Sequence, residues 1–194
     1  MAFILSGLLT LDTARNKNCM APNLNFLDIS YLKTGNERQK EAYQILTANL
    51  ILEKLNRFAP ILVGTIPINI DIKNSDLDII CYIENKEEFL NTLQIHFQNE
   101  KGFVIAKSER FNSIKANFFI QDFEIEIFGQ DIPTQQQNAY RHMLIEHKLL
   151  MEKGEDFRLQ VIELKKQGLK TEPAFAKLLG LQGEAYEELL MLEL

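Results

Sequence analysis

Between Ile61 and Ile83 the chain reads Ile-Leu-Val-Gly-Thr-Ile-Pro-Ile-Asn-Ile-Asp-Ile-Lys-Asn-Ser-Asp-Leu-Asp-Ile-Ile-Cys-Tyr-Ile, and this stretch restricts the fold more than any other. It predicts a buried strand ending at Gly64-Thr65, an irregular crossing marked by Pro67 and the run from Asn69 to Asn74, and a second strand opening on Asp76 and Asp78. Side chains alternate across a strand, so the two acids share one face while Leu77, Ile79 and Cys81 share the other. Close like charges at the mouth of an apolar strand persist only if they share a proton, meet a cation or stay wet. A bound divalent metal is the favoured reading. Gly64 lets backbone approach a phosphate, and the Thr65 hydroxyl and nearby amides can donate to one. Asp71, inside the crossing, reads as a turn former.

Composition narrows the partners. The chain has 194 residues, enough for one domain or a small core with a helical appendage, with 46% hydrophobic and 25% charged residues. A formal net charge of -6 argues against broad nucleic-acid affinity, which needs clustered Lys and Arg. A nucleotide with its metal, another small molecule or a protein is the expected partner. The two cysteines, Cys19 and Cys81, fit a reducing cytoplasm, with Cys81 acting as a small hydrophobe in its strand. The apolar run from Phe3 to Leu11 lacks a preceding basic residue and falls short of the roughly 20 residues that span a bilayer, so no membrane segment is expected. Residues 1–25 read as a loosely ordered N-terminal extension, 26–132 as the core, and 133–194 as a helical region packed on it.

Taken in order, Asn36 and Gln39 have capping-box spacing, and Ala42, Ile45, Leu46, Leu50 and Leu55 carry a helix to Arg57 before Pro60. Lys33 and Arg38, near the start of that helix, are candidate phosphate contacts. Asn85 and Glu88 open a second helix with Phe89, Leu93 and Phe97 on its buried face. Three strands are expected at Gly102–Lys107, Ile114–Ile120 and Phe123–Phe128, the last two pairing antiparallel across a short connection. From Pro133 onward the pattern is helical, interrupted by Gly154 and Gly168, with Thr171 and Pro173 starting a further helix.

In the third of these strands Phe123, Ile125 and Ile127 face one way and Glu124 and Glu126 the other; alternation alone leaves open whether those acids meet solvent or a metal. His142, Glu146 and His147 are spaced unlike any zinc-hydrolase motif, so zinc hydrolysis is not expected. Arg141 and His142 could instead reach a phosphate from a cleft wall. Lys170, just before the Thr171 helix start, would place an ammonium where anions bind favourably.

The apolar strand, Gly64-Thr65, ten intervening residues and then Asp76-Leu77-Asp78-Ile79 resemble the signature of the polymerase-beta-like nucleotidyltransferase superfamily. More narrowly, the runs Asp28–Lys33, Gly64–Ile80, Glu126–Gln130, Gln137–Glu146 and Lys170–Phe175 resemble a bacterial domain family of unknown function, DUF4269. The resemblance implies an α+β fold, a mixed sheet flanked by helices with a C-terminal helical region. It further implies a third carboxylate on a neighbouring strand, for which Glu126 is preferred to Glu124. Asp76, Asp78 and Glu126 would then hold magnesium, as one ion or two, or manganese in its place. Gly64, Thr65, Ser75, Lys33, Arg38, Arg141, His142 and Lys170 would bind a nucleoside triphosphate. Glu stands where Asp is commoner, which leaves the two-ion version open. The expected activity is nucleotidyl transfer to a small-molecule or protein hydroxyl; the alternative is a non-catalytic module binding a nucleotide or phosphorylated ligand on the same fold.

Overall fold

The computed structural model describes residues 24–192. The expected extension therefore lies almost wholly outside the described residues, as do the apolar run from Phe3 and Cys19. Five strands form one mixed sheet: β1 (Ile61–Val63), β2 (Leu77–Tyr82), β3 (Lys101–Ser108), β4 (Ser113–Ile120) and β5 (Phe123–Gln130), in the order β1-β2-β5-β4-β3. β2 and β5 run parallel, and every other neighbouring pair is antiparallel. The expected β4–β5 hairpin is present, and each expected strand is found within a residue or two of its bounds.

Alternation on the strands divides the interior in two. Leu62, Leu77, Ile79, Cys81, Ile125 and Ile127 point to a face covered by α1 (Glu37–Ala48), α2 (Ile51–Lys54) and α3 (Lys86–Phe97), where Phe89, Phe97 and Phe118 are fully buried. Ile61, Val63 and Ile80 point the other way, into a cluster with Tyr140, Met143, Phe157, Val161 and Phe175. Those residues come from α4 (Asn138–Lys153), α5 (Glu155–Lys166) and α6 (Thr171–Leu179); α7 (Ala185–Leu190) adds Leu189. The even-numbered acids of β2 and β5 thus belong to the second face. Among the described residues, no helix is long and apolar enough to cross a membrane.

α1 starts where its capping box predicts: the Asn36 side chain accepts from the Gln39 amide, and Gln39 accepts from the Asn36 amide. It does not reach Arg57. Asn49 folds its amide back onto the Ile45 carbonyl, Leu50 turns left-handed at φ 53°, and the chain restarts as α2 before a 3-10 turn over Asn56–Phe58. The apolar spacing hides this break because Ile51 and Leu55 are fully buried on the far side of it, whereas Leu50 is exposed. α3 is capped by Asn85, which accepts from the Glu87 and Glu88 amides; the Glu88 carboxylate pairs with Arg57 instead of closing the box.

The crossing between β1 and β2 is pinned from both sides. Gln39 donates to the Ile66 and Pro67 carbonyls and Asn36 to Asn69, while Arg158 and Lys165, both on α5, donate to the carbonyls of Asn69 and Ile70. Ile66 is buried in the first core cluster, and Ile68 and Ile70 in the second. A loop held at both flanks gives the acids that follow it a fixed entry angle.

Candidate active site

Parallel pairing of β2 with β5 sets the site. Its register places Asp78 beside Glu126, and both project from the face that α4–α6 cover. Asp76 sits immediately before β2. Ligand oxygens of Asp76, Asp78 and Glu126 all lie within 4.8 Å of one another. Gly64 closes this corner: its φ is +85°, and a Cβ there would run into Asp78 Oδ2. Beside it Thr65 Oγ1 donates to Ser75 Oγ at 3.2 Å, and Ser75 Oγ accepts from the Ile72 amide at 2.9 Å. These two hydroxyls fasten the ends of the crossing to each other.

The electrostatics of this corner favour a cation. Burial, then the charges of Asp76, Glu126 and Glu172, push the Asp78 carboxyl up to about 8, with Lys115 opposing. Burial also raises Asp76, with Glu126 and Glu124 adding to it and Lys170 opposing. Lys115 Nζ contacts Glu126 Oε2 at 2.9 Å, and Asn117 donates to the same oxygen at 3.2 Å. One partly exposed lysine does not balance three acids. An all-oxygen set of three carboxylates is what a hard divalent cation takes, so the residues present can hold one.

The acids open onto a cavity of about 790 Å³, whose opposite wall carries His142, Glu146, Lys165, Lys170 and Glu172. Of the residues singled out from the sequence, Gly64, Thr65, Ser75, Asp76, Asp78, Glu126, His142 and Lys170 line this cavity. Others do not reach it. Lys33 lies 4.9 Å over the Tyr43 ring, and the Arg38 guanidinium lies 3.5 Å over Phe123 while facing Glu41. The polar start of α1 meets the crossing through Asn36 and Gln39. Arg141 turns toward Asn138, and Glu124 accepts from Asn117, outside the three-acid group. His142 is on the wall but engaged, with Nε2 2.9 Å from the Tyr186 carbonyl and Nδ1 3.7 Å from Glu172. His147 packs edge-on against Phe26, so the two histidines serve different neighbours.

Sequence reasoning weighed Glu146 only beside its neighbouring histidines and passed over Lys115, Asn117, Lys165 and Glu172. Three of these carried a signal. Lys115 and Asn117 occupy the polar positions of β4, one of them paired in register with Glu126. Lys165 continues the four-residue spacing of Phe157 and Val161, which puts a lysine on the buried stripe of α5.

A mixed sheet of this order, with paired aspartates opening one strand and a carboxylate on its parallel neighbour, is a nucleotidyltransferase-like fold. Crystal structures of the Cid1 poly(U) polymerase share it. One with MgGTP bound has a TM-score of 0.52 and 14% identity over 68% of this chain and 42% of that one. The H336N mutant of that polymerase bound to MgATP has a TM-score of 0.54 and 15% identity over 81% of this chain and 50% of that one. The chain spans half or less of the length of these two structures. It belongs to the family described as Domain of unknown function (DUF4269), whose model matches residues 44–192. No curated protein matches the chain in sequence. The fold and the family expected from the motifs are both met.

Proposed function

We propose that the chain is a metal-dependent nucleotidyltransferase that moves a nucleotidyl group from a nucleoside triphosphate to a hydroxyl of a small molecule or protein. The observation that carries this reading is the convergence of Asp76, Asp78 and Glu126 within 4.8 Å beside the Gly64–Thr65 turn. Those three would hold magnesium, which when bound neutralises and orients the phosphate oxygens. Gly64, lacking a Cβ, would let a phosphate approach the backbone, and Lys170 offers an ammonium across the cavity. In the transfer the acceptor oxygen bonds to the α-phosphorus, the bond from that phosphorus to the bridging oxygen breaks, and pyrophosphate leaves with the electron pair. Glu126 takes the acceptor proton, with Asn117 fixing its carboxylate. The Cid1 structures of the same fold hold MgGTP and MgATP, which supports a triphosphate partner.

A second reading is a non-catalytic module that binds a nucleotide or phosphorylated ligand. Lys115 favours it, because an ammonium on Glu126 stands in for a cation. Pyrophosphate release from a panel of triphosphates with magnesium and candidate acceptors separates the two. Release that disappears in the Asp76→Asn/Asp78→Asn double variant, with its fold intact, supports transfer. Tight triphosphate binding without release supports the module, and release unchanged in the variant rules the mechanism out.

A further inference from the structure

The cavity continues past the acids to an inner wall where α4, α5 and α6 meet, and the transfer chemistry above makes no use of most of it. Glu146 stands there at mid-α4, only 3% exposed, lining the cavity with Oε1 enclosed and without a hydrogen-bond partner among the described residues. A buried oxygen is normally bonded, and leaving one unmade is destabilising. The described residues do not supply the bond. Lys165, whose charge reaches Glu146, uses its Nζ on the Ile70 carbonyl at 2.8 Å. His142 is held between the Tyr186 carbonyl and Glu172. Glu172, from the first turn of α6, is a second acid on the same wall, and its charge and Glu146's own burial both resist a charged Glu146 carboxylate. Two neighbouring carboxyls with an unused acceptor oxygen suit a donor-rich or cationic group. If packing alone were served here, an apolar residue would replace Glu146 among Met143, Leu149 and Leu150 without loss.

We propose that this inner wall is a subsite for a nitrogen-bearing substrate group, an amine or the amino edge of a ring, that donates to Glu146 while the triphosphate lies at the three acids. The proposal rests on the nucleotidyl-transfer reading. Two sources share the chemistry: the amino group of the donor's nucleobase, or an amine on the acceptor.

The test measures affinity ratios by calorimetry with magnesium present. One arm compares a nonhydrolysable ATP analogue with its purine riboside counterpart, which lacks only the amino group. The other compares glucosamine with glucose in the presence of tripolyphosphate. An amino partner bound at least tenfold tighter in either arm, with the ratio falling to within twofold in Glu146→Met, which removes the acceptor oxygen, supports the subsite, and the arm that responds names the source. Taking the ratio within each protein cancels any general loss of affinity in the variant. Glu146→Leu gives the same readout should Glu146→Met fail to fold. No preference in either arm, or a preference unchanged in both variants, overturns the subsite. Magnesium-dependent tripolyphosphate binding reports the acids alone: its absence sinks the transfer reading, whereas a Glu146-dependent amine ratio measured without metal keeps the subsite standing.

Discussion

Replacing Asp78 by Asn should stabilise the metal-free protein, and the effect should depend on pH. Asp78 ionises at 3.8 in an open chain and only at about 8 in the fold, where burial is the main cause. Because the folded value is the higher one, the unfolded chain releases its proton first as pH rises. Stability is therefore lost between about pH 4 and 8 and levels off above that. Each pH unit in that window is worth about 1.4 kcal/mol, which sets a ceiling near 6 kcal/mol. Water in the open cavity beside the carboxyl screens much of this, leaving a realised effect of about 2 kcal/mol. For a chain of this length that corresponds to roughly 4–8 °C in Tm. Asn keeps the shape and the fit against Gly64 while carrying no charge. Thermal unfolding in chelator should show wild type and Asp78→Asn melting together near pH 4 and the variant melting higher at pH 8. Magnesium should reverse the order: at a hundredfold excess over its dissociation constant it adds about 2.7 kcal/mol to wild type and much less to the variant. A variant less stable than wild type at pH 8 without metal, or equally stabilised by magnesium, would refute the reasoning.

Three further outcomes are expected. Gly64→Ala forces a side chain into a positive-φ position against Asp78 and should lower stability by about 1–3 kcal/mol in urea titrations, with a larger loss of metal response than any other loop alanine. Asn36→Ala removes both the α1 cap and the bond to Asn69, and should destabilise by about 1–2 kcal/mol. Lys115→Gln removes a partly exposed ion pair, so stability should change by less than about 1 kcal/mol. The same change deletes a competing cation from Glu126, and manganese titration should show tighter binding.

Much of this arrangement could be read before any coordinates. Strict alternation in Ile114–Ile120 and Phe123–Phe128, and the Asp pair entering an apolar strand, gave the sheet and the two carboxylates because period-two patterns map directly onto faces. Choosing Glu126 over Glu124 needed the family resemblance, since only the parallel register with β2 sets Asp78 beside it. The break at Leu50 escaped notice because a left-handed residue leaves no hydrophobic signature. Lys33 and Arg38 illustrate another limit. Both come near the start of α1, but long cationic side chains lie down on aromatic rings when these are near, and sequence does not say which ring is near. The opposite wall of the cavity was the least legible part, because Glu146, Lys165 and Glu172 come from three helices whose packing only the fold defines.

The central claim is that Asp76, Asp78 and Glu126 share one metal ion that engages a triphosphate. Anomalous diffraction from crystals soaked with manganese and a nonhydrolysable triphosphate tests it most directly. The account expects a manganese peak bonded to oxygens of all three acids, at roughly 2.0–2.3 Å, with phosphate oxygens completing the shell. A triphosphate bound elsewhere, or a corner without manganese in which Lys115 still holds Glu126, would contradict it.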